Sequence, residues 1–318
     1  MRYRRLGKSG VKVSEIALGG WLTQGRTITD DMTNSIVHRA FDLGVNFFDT
    51  ADVYNMGEAE ISLAKAIKDL RRDHLFLATK CYWPMSDHVN DRGLSRKHIV
   101  ESVNHSLRRL RTDYVDLFQF HRFDPDVPME EMVRAIDDLI RQGKVLYWGV
   151  SCWSAGQIMD AWHTAGDYLA SKPVSNQPPY NMFQRDIERD VISTCDQLGM
   201  GQVVFSPLAQ GVLTGKYKPG GSMPEGSRGA DEKSNQFMQK DLEEAKLRQV
   251  EEMGKIADRL GISMAQLALR WCLRQDNLSS VIVGATKVSQ IEETVKAGEI
   301  DVPCEVWDEI EKILNPEA

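Results

Sequence analysis

"DDMTNSIVHRAFDLGVNFFD" (residues 30–49) carries the fold in miniature. Met32, Ile36, Ala40 and Leu43 recur at helical spacing, so its first half predicts an amphipathic helix. Gly44 follows where a left-handed helix cap favours glycine. The apolar run "VNFFD" comes at once behind it and reads as a short buried strand ending in Asp49. A helix that hands over to a strand in this way is half of an α/β unit.

The unit returns along the chain. Ile99, Val103, Leu107 and Leu110 form a second stripe before "YVDLFQFH" (114–121). Met132, Ile136 and Leu139 form a third, closed by Gly143 and followed by "VLYWGVS" (145–151). "ERDVISTCDQLG" (188–199) leads likewise into "QVVFSP" (202–207). Strands are expected to end near Gly20, Asp49, Lys80, His121, Ser151, Gln177, Ser206 and Ala285. Eight such strands predict a (β/α)8 TIM barrel, one domain over residues 1–318, with its active site at the strands' C-terminal ends. A doubly wound sheet is the alternative. Its dinucleotide fingerprint would follow a strand, and the nearest match, "GMG" (199–201), precedes one.

Two segments interrupt the rhythm. "YRRLGKSGVKVS" (3–14) predicts an N-terminal β-hairpin turning at Lys8–Gly10, a plug for the barrel floor. Pro207–Ser234, after the seventh strand, is a long loop rich in Gly, Pro and Ser, the kind that serves as a lid or binding loop. The mixed charges of 241–261 read as an exposed helix face.

Composition narrows the function classes. A net charge of −7 leaves no basic footprint for nucleic acid, and "RRLR" (108–111) reads as the solvated end of a helix. Five scattered cysteines without a C-x-x-C pair speak against a disulfide framework or a zinc site, so no metal is expected. No run approaches the ~18 apolar residues of a membrane span, and no secretory signal opens the chain. A cytoplasmic protein is expected.

The strand ends carry the chemistry. Asp49, Lys80 and His121 close successive strands, and Tyr54 lies just beyond the first. Each alone has a plain reading as a turn residue, a solvated strand end or a surface ring. Together they make a proton donor. An ammonium beside a phenol lowers its pKa, a carboxylate keeps that ammonium charged in a desolvated mouth, and a histidine can hold a carbonyl oxygen in line with the phenol. Such a set suits hydride addition to a carbonyl carbon. A barrel hydrolase or isomerase using Asp49 and His121 without a nucleotide is a further alternative.

"FDTADVYNMGEAE" (48–60), "LATK" (77–80), "DLFQFH" (116–121) and "GVSCWS" (149–154) resemble the motifs of the aldo-keto reductase superfamily, in family order from Tyr3 to about Ala297. "RGLSRKHIVESV" (92–103), "MEEMVRAIDDLI" (129–140), "MFQRDIE" (182–188) and "WCLR" (271–274) resemble its branch of Shaker-type potassium-channel β subunits. The resemblance implies NADPH/NADP+ as cofactor and a small carbonyl compound as substrate. It implies Tyr54 as general acid, with Lys80 lowering its pKa, Asp49 pairing with Lys80 and His121 orienting the carbonyl. It implies that Trp21, Asp49, Ser151 and Gln177 sit beside the nicotinamide, with Phe205 stacked on its ring. Ser206, Pro207, Leu208, Ala209 and Gln210 would wrap the pyrophosphate, flanked by Lys216 and Arg228. Gly284, Thr286, Gln290, Glu293 and Thr294 would hold the adenosine end. Trp21, Tyr82 and Trp83 are the expected substrate walls, although packing would explain them too. Cys152 departs from the Asn of many reductases and the Arg of the channel subunits. Phe205 replaces the channel branch's Trp. His121 replaces its Asn, which favours ordinary carbonyl reduction. The branch resemblance allows a homo-oligomer and a potassium-channel partner, while the absence of a long arm before the hairpin speaks against pore plugging. Cys81 is expected to be a buried, inert thiol.

Overall fold

A computed structural model describes residues 1–230, 235 and 238–315. Among them, two short strands, β1 (Tyr3–Arg5) and β2 (Lys12–Ser14), pair as an antiparallel hairpin. Eight parallel strands then close a barrel: β3 (Ile16–Gly19), β4 (Phe47–Asp49), β5 (Phe76–Cys81), β6 (Val115–Phe120), β7 (Val145–Val150), β8 (Ser175–Asn176), β9 (Gly201–Val204) and β10 (Leu278–Val283). Each pairs with the next in chain order, and β10 returns to β3, with Ile282 opposite Ala17. The expected (β/α)8 architecture is the one observed.

The helices α1 (Asp30–Asp42), α2 (Glu58–Ile67), α3 (Arg96–Leu110), α4 (Met129–Arg141), α5 (Ala155–Asp167) and α6 (Val191–Leu198) alternate with β3 to β9. The helices α7 (Glu244–Leu260) and α8 (Met264–Leu273) fill the β9–β10 connection, and α9 (Val288–Val295) and α10 (Cys304–Leu314) follow the last strand. Capping chemistry is local. Thr29, Ser95, Ser154 and Ser263 each accept a backbone N–H at a helix start, and Gly44 ends α1's segment with φ +90°. Among the described residues, no helix is long and apolar enough to cross a membrane.

Alternation along the strands sorts the core into two. Phe48, Leu77 and Phe118 face outward and pack against the helices. Their neighbours Phe47, Ala78 and Leu117 face inward, where they meet Ala17, Val203 and Ile282. Leu6 and Val13 of the hairpin join this inner cluster, and both are fully buried. The predicted plug is therefore real, and Lys8 N–H donates to Gly199 O at 2.8 Å to seat it beneath β9.

Several expectations need adjusting. Met32 is half-exposed; Thr33 and Val37 take the inward places on α1 beside Ile36 and Ala40, because the buried face is rotated by one residue. Leu107 is only partly buried. Lys80 is the penultimate residue of its strand, not the last. The loop after β9 contains short 3-10 turns at Ala209–Thr214 and Arg228–Ala230, and its expected end at 231–234 lies outside the described residues. The exposed face expected over 241–261 matches α7, which buries Leu247, Val250, Met253 and Ile256 and turns its charges outward.

Because Leu6 fills the floor, Leu6→Ala should cost about 3 kcal/mol of stability through the cavity it opens. Urea unfolding should show a lower midpoint, with turnover of the folded protein unchanged.

Candidate active site

Strand register decides which side chains meet above the apolar floor. Asp49 shares the inward parity of Phe47, Lys80 that of Ala78, and Gln119 that of Leu117. All three therefore enter the barrel interior one layer higher. The pairing also runs on past the strand ends. Thr50 N–H donates to Ala78 O, Asp52 N–H to Lys80 O, His121 N–H to Cys81 O and Gln177 N–H to Val150 O. These bonds hold the first loop residues against the neighbouring strand.

Lys80 is completely buried. Its Nζ donates to Asp49 Oδ1 at 2.6 Å and to Thr50 O at 2.7 Å, and lies 3.4 Å from the Tyr54 hydroxyl. Asp49 Oδ2 accepts from Gln177 Nε2 at 2.9 Å and from Gln119 Nε2 at 3.4 Å. Burial alone would push the ammonium's pKa down, but Asp49 and Tyr54 together raise it above 10.5, so Lys80 stays charged.

Tyr54 opens a tight turn in which Asn55, Met56 and Gly57 all have positive φ. Gly57, at φ +92°, has no room for a side chain: a Cβ there would lie 2.7 Å from Arg109 Cδ. Arg109 in turn pairs with the buried Glu60 carboxylate at 2.5 Å, so this cation is not the solvated helix end expected of "RRLR". Asn55 Nδ2 donates to Gly25 O and ties the turn to the loop after β3.

The phenol's acidity corrects one expectation. Burial raises the Tyr54 pKa above 10; the Lys80 ammonium opposes that rise but does not reverse it. Tyr54 is thus a protonated phenol at neutral pH. His121 stands edge-on to its ring, with centroids 5.8 Å apart, and Trp83 lies 6.3 Å beyond. Burial, Lys80 and Arg122 push the imidazole pKa well below 6.5, so His121 is neutral, and its buried Nδ1 has no partner among the described residues. A protonated phenol, a fixed ammonium and a neutral imidazole around one opening can donate a proton to an oxygen that gains charge.

A profile of the Aldo/keto reductase family matches residues 15–315. The chain belongs to the aldo/keto reductase family. It is 44% identical to a probable voltage-gated potassium channel subunit beta of Arabidopsis thaliana, over 99% of this chain and 97% of that protein. A protein of the same name from Oryza sativa is 43% identical, again over 99% and 97%. A putative voltage-gated potassium channel subunit beta of Schizosaccharomyces pombe is 45% identical over 98% of this chain and 93% of its own length.

In this aldo/keto reductase the remaining expected residues fall into three groups. Ser151 and Gln177 lie beside the Lys80–Asp49 cluster, and both are engaged: Ser151 Oγ donates to Gln177 O at 2.8 Å, and the Gln177 amide nitrogen is bonded to Asp49. Phe205 packs on the inner cluster at the end of β9. The segment 206–211 is a run of unusual backbone, with positive φ at Ser206, Ala209, Gln210 and Gly211. Arg228 donates to Gln210 Oε1, and a Cβ on Gly211 would lie 3.1 Å from Lys216 Nζ, so both cations fold onto this loop. The second group lies after β10. Gln290 Oε1 accepts Thr286 N–H at 2.7 Å and Lys287 N–H at 3.2 Å and so caps α9. Thr294 is buried and donates to Gln290 O, whereas Glu293 is exposed. Trp21 is half-buried just past β3; Tyr82 and Trp83 stack edge to face at 5.1 Å beside His121.

Sequence reasoning missed Gln119, Arg122 and Asp52. Gln119 was visible as an amide inside the apolar strand "VDLFQF", a polar residue that a buried strand keeps only with a partner. Asp52 is 1% exposed, and its Oδ2 accepts from Ser102 Oγ at 2.9 Å. Burial, with Glu60 adding to it, raises its pKa to about 7. Cys81 is a fully buried thiol pushed well above its usual pKa, as expected of an inert one.

Between the ordinary carboxylate pKa and about 7, folded Asp52 holds a proton that the unfolded chain has released. Stability therefore falls as pH rises through that window and levels off above it. Asp52→Asn should remove this slope and stabilise the protein at alkaline pH, by about 4 kcal/mol at most. Denaturant midpoints of the two proteins measured from acid to alkaline pH decide it; a slope that survives in the variant refutes the assignment.

Proposed function

We propose that this aldo/keto reductase reduces aldehydes and ketones to alcohols with NADPH, working as one barrel domain over its whole length. The observation that carries the reading is the buried Lys80–Asp49 pair placed 3.4 Å from the Tyr54 hydroxyl, at the mouth where the barrel's loops converge. The residues present fit a dinucleotide. Two cations fold onto a loop whose left-handed residues turn its backbone, a backbone arrangement suited to holding phosphate oxygens. When bound, the nicotinamide supplies the hydride.

The chain's own residues do the rest. His121, neutral, donates a hydrogen bond from its one ring N–H to the carbonyl oxygen and holds it toward Tyr54. Tyr54 gives its proton to that oxygen as negative charge develops there. Lys80 lowers the cost of the phenolate left behind, and Asp49 keeps Lys80 charged and aimed. Gln119 and Gln177 hold Asp49, so the ion pair is fixed before substrate arrives. Trp83 and Tyr82 wall the opening and keep water from the proton path. Ser206–Gln210 with Lys216 and Arg228 would hold the pyrophosphate, and the loop from Gly284 to Glu293 the adenosine end.

Tyr54→Phe should lower aldehyde-dependent NADPH oxidation by about a thousandfold while the protein still quenches NADPH fluorescence on binding. Turnover retained in that variant would refute the role. Since His121 is neutral and Tyr54 protonated, kcat/KM for reduction should stay level from about pH 6 to about pH 9. A rate limb near pH 6.5 that disappears in His121→Gln would overturn the neutral-imidazole reading.

The names of the relatives support a second reading, that the protein also serves as the β subunit of a potassium channel. Co-purification with the cytoplasmic part of a voltage-gated potassium channel tests it, and failure to associate at micromolar concentration removes it.

A further inference from the structure

Arg122 stands at the mouth without a task in the catalytic reading. It follows His121 directly and is half-buried. Its guanidinium lies 5.6 Å from the centre of the Trp83 ring. One nitrogen, Nη1, donates to His121 O and reaches Ser151 Oγ at 3.5 Å. Its charge acts on Tyr54, His121 and Cys152 together, which places it over the same opening.

Comparable arginines elsewhere in the fold meet a carboxylate. Arg4 pairs with Glu15, Arg72 with Asp116, Arg109 with Glu60, and Arg185 with Glu188 and Glu311. Among the described residues, no carboxylate pairs with Arg122. Its Nε and Nη2 likewise make no hydrogen bond there. A guanidinium carries five N–H donors in a rigid plane, and here the plane is steadied by an aromatic face while one edge stays open. A partly desolvated cation with an open edge is a site for an anion, and the planar fork matches a carboxylate.

We propose that Arg122 binds the anionic group of a carbonyl substrate, so that the site selects aldehydes and ketones that also carry a carboxylate. This rests on the carbonyl-reduction reading above and adds the substrate class to it. Tyr54 and His121 take the carbonyl oxygen, Trp83 covers the body of the substrate, and Arg122 holds its far end. A neutral substrate of the same shape leaves the fork open and gains nothing from it.

The test is a ratio, which cancels general losses of activity or folding. With NADPH in excess, kcat/KM is measured for 4-carboxybenzaldehyde and for its methyl ester, methyl 4-formylbenzoate. The wild-type protein should favour the acid by tenfold or more. Arg122→Gln should bring the ratio to about one, and Arg122→Lys should restore it in part, since a point charge lacks the fork. 4-Formylphenyl phosphate in place of the acid asks whether a phosphate serves better; a larger Arg122-dependent preference for it would overturn the carboxylate assignment. A wild-type ratio at or below one, or a ratio that Arg122→Gln leaves unchanged, overturns the proposal. So does a rise in the KM for NADPH with the ratio intact, which would assign Arg122 to the nucleotide. If neither aldehyde turns over, the reductase reading fails, and the anion site is decided by binding alone. Saturable quenching of tryptophan fluorescence by benzoate but not by methyl benzoate, lost in Arg122→Gln, supports it; equal quenching by both sinks it.

Discussion

The ion pair between Lys80 and Asp49 is the constraint around which the mouth of the barrel is arranged. Two charges withdrawn from water this completely are costly, and their attraction offsets the cost only when geometry is tight and the remaining donors and lone pairs are met. Here they are met by Thr50 O on one side and by Gln177 and Gln119 on the other. Those partners come from the turn after β4, from β6 and from the loop after β8. The pair is therefore satisfied only when most of the barrel has closed, and a partly folded chain would carry it as a liability. Assembly of this polar cluster and completion of the fold are one event in this protein.

Strain is distributed around the same mouth. Among the described residues, seven of the nine non-glycine residues with left-handed backbone, Leu22, Asn55, Met56, Cys152, Ser206, Ala209 and Gln210, lie on segments that follow strands, while Arg111 and Leu169 follow helices. Such conformations cost free energy and persist where the surroundings over-determine them. The Asn55 side chain bridges to Gly25 O, and Gln210 is held by Arg228 and by its own bond to Ser206 Oγ. Cys152 occupies the rim between Ser151 and Gln177 with φ +57°, so its place there is set by backbone as much as by its thiol.

The repeating units were legible because buried parallel strands read as apolar runs and because glycine marks the ends of helices. The cluster of Asp49, Tyr54, Lys80 and His121 was legible because their ionisable types recur at successive strand ends. What the chain did not disclose was depth. Burial decides that Tyr54 is held above its usual pKa despite the neighbouring ammonium, and no spacing rule weighs those two effects. The bond from the Gln177 amide nitrogen to Asp49, a partner 128 residues away, had no sign in the sequence. Met32 fitted the stripe on α1 by period alone, and a rotation of one residue exposed it. Register and depth are tertiary quantities, and the errors lie where they decide.

The hairpin that closes the floor has a consequence beyond packing. It puts an apolar plug at one end of the cylinder and the polar cluster around Lys80 at the other, with layers of inward side chains between them. Change at the open end therefore draws little on the reserve kept at the closed one. Descendants of such a chain can exchange rim residues, as with a histidine beside an arginine, and acquire new preferences while inheriting the same foundation.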